Sequence, residues 1–306
     1  MGGNNLTIVI LSYNTKKITG KCLTCVRKAS IYCEKILKNK TETIAVDNGS
    51  TDGSVEMIHK KFPWLKLVDV GKNLGFAGGN NLGMAKAKSP FILLLNSDAF
   101  LEKDTLYKAL NYMDAHIECD CLCVRLKFPD GSFQPSGGFL PTPAKTFLWM
   151  MGLDNIPVVR RFMRPIHVWE KSFYKREKSF EWASGAFFLL RSSVYKKTKG
   201  FDENLFLYSE DIEWCKRLKE GDFKICYTPD IEVVHVAGAS SRLKEDKSLI
   251  SQMKGFIYYH KKYYPKYLRF TKSVMGIGFW LRIILYTIIC QRPAVKAYKE
   301  ALVVIR

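Results

Sequence analysis

Short apolar runs alternate with helical stretches over the first 116 residues of this 306-residue chain, and this alternation limits the folds that it can adopt. Such alternation is typical of βαβ units, which build a mostly parallel sheet with helices on both faces. The pattern therefore predicts an α/β fold. The predicted strands are 6–12, 43–47, 65–70 and 91–95, and the predicted helices are 16–30, 54–60, 79–88 and 104–116.

Polar residues follow three of the predicted strands at the point where each strand ends. Open α/β sheets bind ligands in the crevice beyond the carboxyl ends of their strands. The sequence therefore predicts one ligand crevice that these three polar groups share. The groups are Ser12-Tyr13-Asn14, Asp47-Asn48 and Asn96-Ser97-Asp98.

Two segments near these strand ends have both a ligand-binding and a structural interpretation. Asp47 ends an apolar strand and could accept a base N–H or bond a ribose hydroxyl, or it could cap a glycine-rich turn. The small-residue segment 72–83, which includes Asn73, Gly75 and Asn81, precedes a predicted helix and suits a phosphate at the helix N-terminus. It could equally be a structural turn, since the Gly-Lys-Ser/Thr ending of a Walker loop is missing.

Three acidic residues and one histidine could carry chemistry. Asp98, at a strand end, suits a hard divalent cation that takes further oxygens from a diphosphate and from water. Glu210 and Asp211 lie at the start of a predicted helix, where one could be a general base or both could simply favour the helix dipole. Two more strands are predicted at 223–227 and 231–236. His235, near the end of the second, is either a buried core histidine or a second ligand of the cation.

The charge of the chain narrows its possible partners. Lys and Arg number 48 against 29 Asp and Glu, and the net charge of +19 attracts nucleotides, nucleic acid or anionic membranes. No nucleic-acid partner is expected, because the sequence has no helix-turn-helix, RNP or zinc-finger signature. Nine cysteines in a chain too large to need disulfides predict a reducing compartment, the cytoplasm.

Basic residues are concentrated in the segment 241–306, which holds 14 Lys and Arg against three acidic residues. Within it, 274–290 is an apolar run interrupted by Arg282 and slightly short for a bilayer span. Its basic flanks and aromatic residues predict an amphipathic helix on an anionic membrane surface. The alternative is a helix that packs on the protein core. A second basic segment, 158–178, is predicted to be a mobile loop.

Taken in order, these motifs resemble family 2 glycosyltransferases, and most closely their rhamnosyltransferase-like branch. The resemblance covers residues 6–240 and implies a GT-A fold that transfers a sugar from a nucleoside diphosphate with inversion. The motifs that carry it are Val46-Asp47-Asn48-Gly49-Ser50-Thr51-Asp52, Asn73-Leu74-Gly75-Phe76-Ala77-Gly78-Gly79-Asn80-Asn81, Leu94-Leu95-Asn96-Ser97-Asp98, Ser184-Gly185-Ala186, Gly200-Phe201-Asp202-Glu203 and Glu210-Asp211.

The resemblance implies two halves and a role for each matching residue. Residues 1–116 would bind the nucleotide sugar, and 117–240 would bind the acceptor and catalyse transfer. The segment 241–306 lies beyond the resemblance, and its basic and apolar pattern alone predicts that it associates with the membrane. The implied nucleotide-sugar site is Ser12, Tyr13, Asn14, Asp47, Asn73, Gly75, Asn81, Asn96, Ser97 and Asp98. Asp98 and His235 would hold Mg²⁺ or Mn²⁺, and Asp211 would be the base, with Glu210 as the alternative. Gly185 and Ala186 would line the donor sugar, and Trp182 would offer the acceptor a stacking face.

The implied reaction moves a sugar, with L-rhamnose from dTDP-rhamnose as the first choice. The acceptor is inferred from location: the basic, amphipathic tail would hold the enzyme at the inner face of the cell membrane, where a polyprenyl-diphosphate-linked glycan presents its growing end. A UDP-hexose donor and a non-catalytic scaffold on the membrane are the alternatives. The motif Asn96-Ser97-Asp98 departs from the Asp-x-Asp pattern of the family, so one carboxylate must serve the cation. The oligomeric state is open, with a homodimer among the expected forms.

Overall fold

The computed structural model describes residues 4–38, 40–238 and 245–305. The strands are β1 Asn4–Ser12, β2 Lys40–Asp47, β3 Lys66–Asp69, β4 Phe91–Asn96, β5 Ala99–Leu101, β6 Cys121–Lys127, β7 Phe133–Gln134, β8 Gly137–Gly138, β9 Lys178–Phe180, β10 Trp182–Ala183, β11 Phe187–Arg191 and β12 Ile225–His235. The α-helices are α1 Lys16–Leu37, α2 Ser54–Lys61, α3 Gly75–Lys86, α4 Thr105–Ala115, α5 Pro143–Met150, α6 Pro157–Phe162, α7 Ser192–Thr198, α8 Glu210–Glu220, α9 Glu245–Tyr263, α10 Leu268–Ile288 and α11 Arg292–Val304.

Ten of the strands form one sheet in the order β3-β2-β1-β4-β11-β6-β12-β5, with β7 added to β6 and β9 to β12. The strands of the amino-terminal half run parallel, because β1 pairs in parallel with β2 and β4, and β2 with β3. β11 is antiparallel to both of its neighbours and joins this half to the parallel pair β6–β12. The prediction of an α/β fold with a mostly parallel sheet is confirmed.

The glycine-rich segment is itself the beginning of α3, which starts at Gly75 rather than at the predicted residue 79. A side chain at Gly79 would overlap Leu11, and one at Gly83 would overlap Val9. The missing side chains therefore let α3 lie directly on β1. These glycines are helical packing positions, which the sequence pattern had suggested only as a turn or a phosphate loop.

Two further predictions are corrected by the fold. The predicted strands 223–227 and 231–236 are one strand, β12, whose pairing with β6 shifts register between Thr228 and Glu232. The segment 158–178 is not a simple loop, because it contains α6, a 3₁₀ turn over Lys171–Lys175 and the start of β9. Buried apolar side chains hold this basic segment to the protein; they are Ile166, Val168 and Tyr174.

The carboxyl-terminal helices pack on the protein through one face. Met253 and Phe256 of α9 and Val274 and Phe279 of α10 share a buried cluster with Met150 of α5. Arg282, which interrupts the apolar run, donates to the carbonyl oxygen of Met150 at 2.7 Å and to that of Trp149 at 3.1 Å. Arg282 therefore donates to two carbonyl groups in the last turn of α5, of which that of Trp149 also accepts from Gly152 N–H at 3.2 Å.

A different face of α10 is exposed and apolar. In the described part of the chain, no helix combines the length and apolar character that crossing a bilayer requires. Residues on this face are spaced at three, four and seven, so they lie along one side of the helix. The core-packing alternative thus describes one face of α10, and the amphipathic pattern describes the other. The exposed apolar residues are Phe270, Ile277, Trp280, Leu281, Ile284, Leu285 and Ile288.

Candidate active site

A cavity of about 710 Å³ opens at the carboxyl ends of β1 and β4 and is closed on the other side by the segment that leads into α8. It brings together eleven of the residues that the sequence predicted for the site. These are Tyr13, Asn14, Asn73, Gly75, Asn96, Ser97, Asp98, Gly185, Glu210, Asp211 and His235. The strand-end residues in this set and the two acids at the start of α8 thus share one cavity.

Asn48 and Gly75 shape one side of the cavity. The Asn48 amide donates to the Asn73 side chain at 2.9 Å and to the Gly75 carbonyl at 3.0 Å, and its oxygen accepts from Leu74 N–H at 2.9 Å. Gly75 has a φ of +76°, and a side chain there would overlap the Phe206 carbonyl. Phe76 N–H donates to that same carbonyl at 2.7 Å. Glycine is therefore required by both conformation and space.

Asp47 lies just behind the cavity lining. Its Oδ1 accepts from Ser50 N–H at 2.7 Å, whereas Oδ2 is buried and has no hydrogen-bond partner among the described residues. Burial raises the pKa of the Asp47 carboxyl, and the hydrogen bond from Ser50 opposes that rise. A buried acceptor without a partner is costly unless a ligand supplies a donor. Asp47 therefore fits recognition of a base or ribose, and it also caps the turn that follows.

The loop after β1 is tied to the turn that follows β2. Asn14 adopts a φ of +51°, its N–H donates to Ser50 Oγ at 2.9 Å, and its Oδ1 accepts from Thr51 N–H at 2.8 Å. Tyr13 lies beside it in the cavity lining. These bonds place the polar ends of β1 and β2 side by side, as the strand-end pattern predicted.

Besides Asp47, four other predicted site residues lie outside the described cavity lining. Ser12 is fully buried and bonds Thr19 at 3.2 Å, which fastens β1 to α1. Asn81 bonds the backbone of Phe201 and the Glu203 carboxylate, so it joins α3 to the segment before α8. These two side chains serve the scaffold rather than the cavity.

Trp182 and Ala186 also differ from their predicted places. Trp182 is only 9% exposed, and its indole N–H donates to the Ile166 carbonyl at 2.8 Å, so its ring offers no free stacking face. Ala186 is buried in the main core, and its carbonyl accepts from Asn96 N–H at 3.1 Å. Phe206, which the sequence reasoning missed, lines the cavity with a ring that is 54% exposed. No motif marked it, because its position depends on the contact with Gly75.

Asp98 and His235 meet because β5 pairs with the end of β12. His235 is the register partner of Ala99, and Val236 N–H donates to the Asp98 carbonyl at 3.0 Å. The His235 Nε2 atom lies 3.2 Å from Asp98 Oδ1, and both side chains are buried. An imidazole nitrogen and a carboxylate oxygen at one point are a suitable donor set for Mg²⁺ or Mn²⁺.

These two side chains are too few to hold a cation alone. Within the described ranges, no group of three or more His, Cys, Asp or Glu side chains could hold a metal ion. A divalent cation at Asp98 and His235 would need its remaining ligands from a diphosphate and from water, as is usual for Mg²⁺. The donor set fits a cation that arrives with its nucleotide.

Glu210 and Asp211 follow a strained turn. Tyr208 and Ser209 have φ values of +69° and +71°, which are rare for residues with side chains. Glu210 is buried, and its Oε2 has no hydrogen-bond partner among the described residues. Burial, together with the Asp211 charge, raises the pKa of Glu210, and burial raises that of Asp211 to about 6. Burial of both acids therefore favours a single negative charge on the pair near neutral pH, and Asp211, which accepts from Ile212 N–H at 2.8 Å, is the better placed of the two to carry it.

The helix that carries these acids is fixed by α9. Glu213, fully buried on α8, accepts from Lys262 at 2.8 Å, from Tyr263 at 2.7 Å and from Arg217 at 2.8 Å. Ser251 donates to the Leu207 carbonyl at 2.8 Å, in the strained segment before the acids. The predicted boundary at residue 240 therefore falls before a helix that supports the acids of the site.

Comparison with known proteins agrees with this geometry. The family model described as glycosyl transferase family 2 matches residues 7–214. The chain belongs to this family. The Mycobacterium tuberculosis (strain H37Rv) protein named N-acetylglucosaminyl-diphospho-decaprenol L-rhamnosyltransferase is 26% identical over 208 residues, which are 63% of this chain and 65% of that protein. Rhamnosyltransferase WbbL of Escherichia coli K12 is 25% identical over 177 residues, 55% of this chain and 63% of its own length.

Solved structures share the fold at low sequence identity. Staphylococcus aureus TarS 1–349 superposes with a TM-score of 0.54 at 15% identity, covering 99% of this chain and 90% of that one. The mannosyltransferase PcManGT from Pyrobaculum calidifontis, solved with GDP-Man and Mn²⁺, has a TM-score of 0.58 at 13% identity and covers 98% of this chain and 85% of its own. The predicted GT-A fold and the predicted family are confirmed.

Proposed function

We propose that this glycosyltransferase moves L-rhamnose from dTDP-rhamnose to a hydroxyl group of a polyprenyl-diphosphate-linked glycan, with inversion at the anomeric carbon. The observation that carries the proposal is that the Asp98–His235 pair and the Glu210–Asp211 pair line one cavity of about 710 Å³. A cavity of that volume is large enough for a nucleotide-sugar donor. Curated relatives named as rhamnosyltransferases support the choice of sugar, although the first of them is matched over only 65% of its length.

The charges of the site support a single displacement. Asp98 and His235 would hold Mg²⁺ or Mn²⁺, which when bound stabilises the negative charge of the departing diphosphate. Asp211 removes the proton from the acceptor hydroxyl as that oxygen attacks the anomeric carbon and the C–O bond to the diphosphate breaks. Burial favours one negative charge on the Glu210–Asp211 pair, and the hydrogen bond from Ile212 N–H makes Asp211 the acid that would carry it.

The identity of the donor is tested with a panel of nucleotide sugars, with and without Mn²⁺. The acceptor in this assay is a glycan linked to a short polyprenyl diphosphate. We expect transfer from dTDP-rhamnose that depends on the cation. The Staphylococcus aureus (strain Mu50) protein named poly(ribitol-phosphate) β-N-acetylglucosaminyltransferase TarS is 26% identical over 145 residues and makes a UDP-hexose the second candidate. Transfer from a UDP-hexose alone would contradict the rhamnose proposal. If the protein neither transfers a sugar from any donor nor hydrolyses any donor, the result would favour a non-catalytic scaffold.

We place the enzyme at the inner face of the cell membrane, where a lipid-linked acceptor would present its glycan. The exposed apolar face of α10 supports this location, since Lys266, Arg269 and Lys272 lie near its amino-terminal end and Arg292 follows it. Apolar side chains flanked by cations are typical of helices that lie in an anionic headgroup region.

Membrane association is tested by charge substitution rather than truncation, because removing α9 would leave the buried Glu213 carboxylate without Lys262 and Tyr263. The double variant Ile284→Glu, Ile288→Glu is expected to lose sedimentation with vesicles that contain anionic lipid. Ile117→Glu is the matched control, since Ile117 is 84% exposed and lies after α4 in the other half. Equal sedimentation of the double variant and wild type would contradict this location.

A further inference from the structure

Gln134, at the end of β7, makes two contacts with His235 from behind the cavity. Its Oε1 lies 2.9 Å from His235 Nδ1, and its Nε2 lies 3.5 Å from the His235 carbonyl oxygen. Gln134 is buried, and it lies outside the described cavity lining. The pairing of β7 with β6, in which Gln134 is opposite Leu126, brings it to this position.

The two contacts determine which His235 nitrogen carries the proton. A backbone carbonyl can only accept, so the NH₂ group of Gln134 must face it, which turns Oε1 toward the ring. Oε1 can only accept, so Nδ1 must carry a hydrogen. In a neutral imidazole the lone pair then lies on Nε2.

The surroundings of Nε2 agree with this assignment. Asn96 Nδ2, a donor, lies 3.2 Å from Nε2, and Asp98 Oδ1 lies 3.2 Å from it on the cavity side. A nitrogen lone pair and a carboxylate oxygen that face each other at this distance repel unless a cation is bound by both. Histidines that bind metals usually donate their other ring N–H to an acceptor, which fixes ring orientation and tautomer.

We propose that Gln134 is a positioning residue that holds His235 in its Nδ1–H tautomer, so that Nε2 and Asp98 together bind the divalent cation. This inference rests on the proposed function, because the cation serves the diphosphate of the donor. Gln134, on the short strand β7, would thus act on the cation through His235, although it lies outside the described cavity lining. A structural role alone would require Gln134 to hold β7 and β12 together without affecting the ring proton or the cation.

The proton position can be read directly by NMR. Long-range ¹H–¹⁵N correlation spectra of protein labelled at histidine nitrogen distinguish the Nδ1–H, Nε2–H and doubly protonated forms of His235. His235→Gln identifies the signal. We expect the Nδ1–H form in the wild-type protein and loss of that preference in Gln134→Leu. A doubly protonated or Nε2–H ring in wild type would overturn the proposal, since Nε2 would then have no lone pair for a cation.

Cation binding provides the second readout. Mn²⁺ is titrated in the presence of dTDP and followed by its electron paramagnetic resonance signal. Losing the partner of a metal-binding histidine typically weakens metal affinity about 10- to 100-fold, which we expect for Gln134→Leu. Gln134→Glu keeps an acceptor for Nδ1–H but loses the donor to the His235 carbonyl, so it should bind Mn²⁺ more tightly than Gln134→Leu. Ser136→Ala is the matched control, because Ser136 Oγ is buried nearby with no hydrogen-bond partner among the described residues.

The outcomes separate this inference from the proposed function. Equal Mn²⁺ affinity of wild type and Gln134→Leu, in proteins with the same melting temperature, would overturn the proposal. So would a wild-type protein that binds no Mn²⁺ with dTDP or UDP. In that last case, sugar transfer that continues in EDTA would show that the proposed function holds without the cation.

Discussion

Replacing Asp211 with asparagine is expected to stabilise the folded protein while it removes useful turnover. Burial raises the pKa of Asp211 from 3.8 to about 6, so the folded protein disfavours the charged carboxylate. Asparagine has nearly the same shape and no charge. Its side-chain oxygen can still accept from Ile212 N–H, as Asp211 Oδ1 does at 2.8 Å.

The direction of the pH dependence follows from proton counts. Between pH 3.8 and about 6, the folded protein retains the Asp211 proton and the unfolded chain has lost it, so stability falls as pH rises. Above about pH 6, Asp211 is charged in both states, and the folded protein bears the full free-energy cost of burying that charge. A pKa difference of about two corresponds to about 3 kcal/mol at 1.36 kcal/mol each, an upper value because water in the cavity reaches Asp211. Asp211→Asn should recover up to that amount at pH 8 and little of it at pH 4.

Urea unfolding of both proteins at pH 4, 6 and 8 measures this difference in free energy of unfolding. Asp202→Asn is a control of opposite sign. Burial acts to raise the pKa of Asp202, but hydrogen bonds from Lys262 and Tyr258 outweigh it and hold the pKa below the usual range. Its amide variant should therefore lose stability at neutral pH.

Activity provides the other half of the test. Loss of a general base typically lowers the rate about 10²- to 10⁴-fold, and donor binding should survive in Asp211→Asn. In wild type, kcat should rise with pH through about 6 as Asp211 ionises. The reasoning would be refuted by an Asp211→Asn protein that is less stable than wild type at pH 8, or that keeps near-normal kcat.

Three further substitutions test the site. Asp98→Ala should abolish the Mn²⁺-dependent part of donor affinity, and calorimetric titrations with and without the cation that agree with wild type would contradict its role. Gly75→Ala should raise KM for the donor and lower the melting temperature, because φ is +76° and the new methyl group would overlap the Phe206 carbonyl. Gly71→Ala is its control: Gly71 also has a positive φ, but a methyl group there meets no atom within 4 Å, so this variant shows the effect of backbone strain alone. Lys262→Met should lower the free energy of unfolding by about 1–3 kcal/mol and also kcat, since it removes a charged donor from buried Glu213; unchanged kcat would show that α8 keeps its place without Lys262.

The amino-terminal half could be predicted because its information is local. The apolar runs correspond to β1, β2, β3 and β4, and the polar residues after β1 and β4 meet in the cavity because parallel strands end at the same edge. The Glu210-Asp211 motif likewise lies where the resemblance implied. In these places, position along the chain determines position in the fold.

The remaining features depend on contacts between distant segments. Trp182 was predicted to stack on the acceptor because the sequence does not show which residues bury it. In the structure its indole N–H donates to the Ile166 carbonyl. Phe206 reaches the cavity through its contact with Gly75, and Gln134 meets His235 across 101 residues of sequence. A single sequence shows the residue types in such pairs but not their pairing.

The helix α9 links two properties that the sequence had assigned to separate regions. Ser251 of α9 bonds the segment before α8, and Lys262 and Tyr263 bond Glu213 on α8. Met253 and Phe256 of α9 pack with α10. The exposed apolar face of α10 is a different face from the one in this cluster. Charged residues on that exposed face should therefore alter vesicle binding without altering the melting temperature or transfer to a water-soluble acceptor. If these variants lost both vesicle binding and transfer to the water-soluble acceptor, α10 would support the acids through α9 as well as contacting lipid.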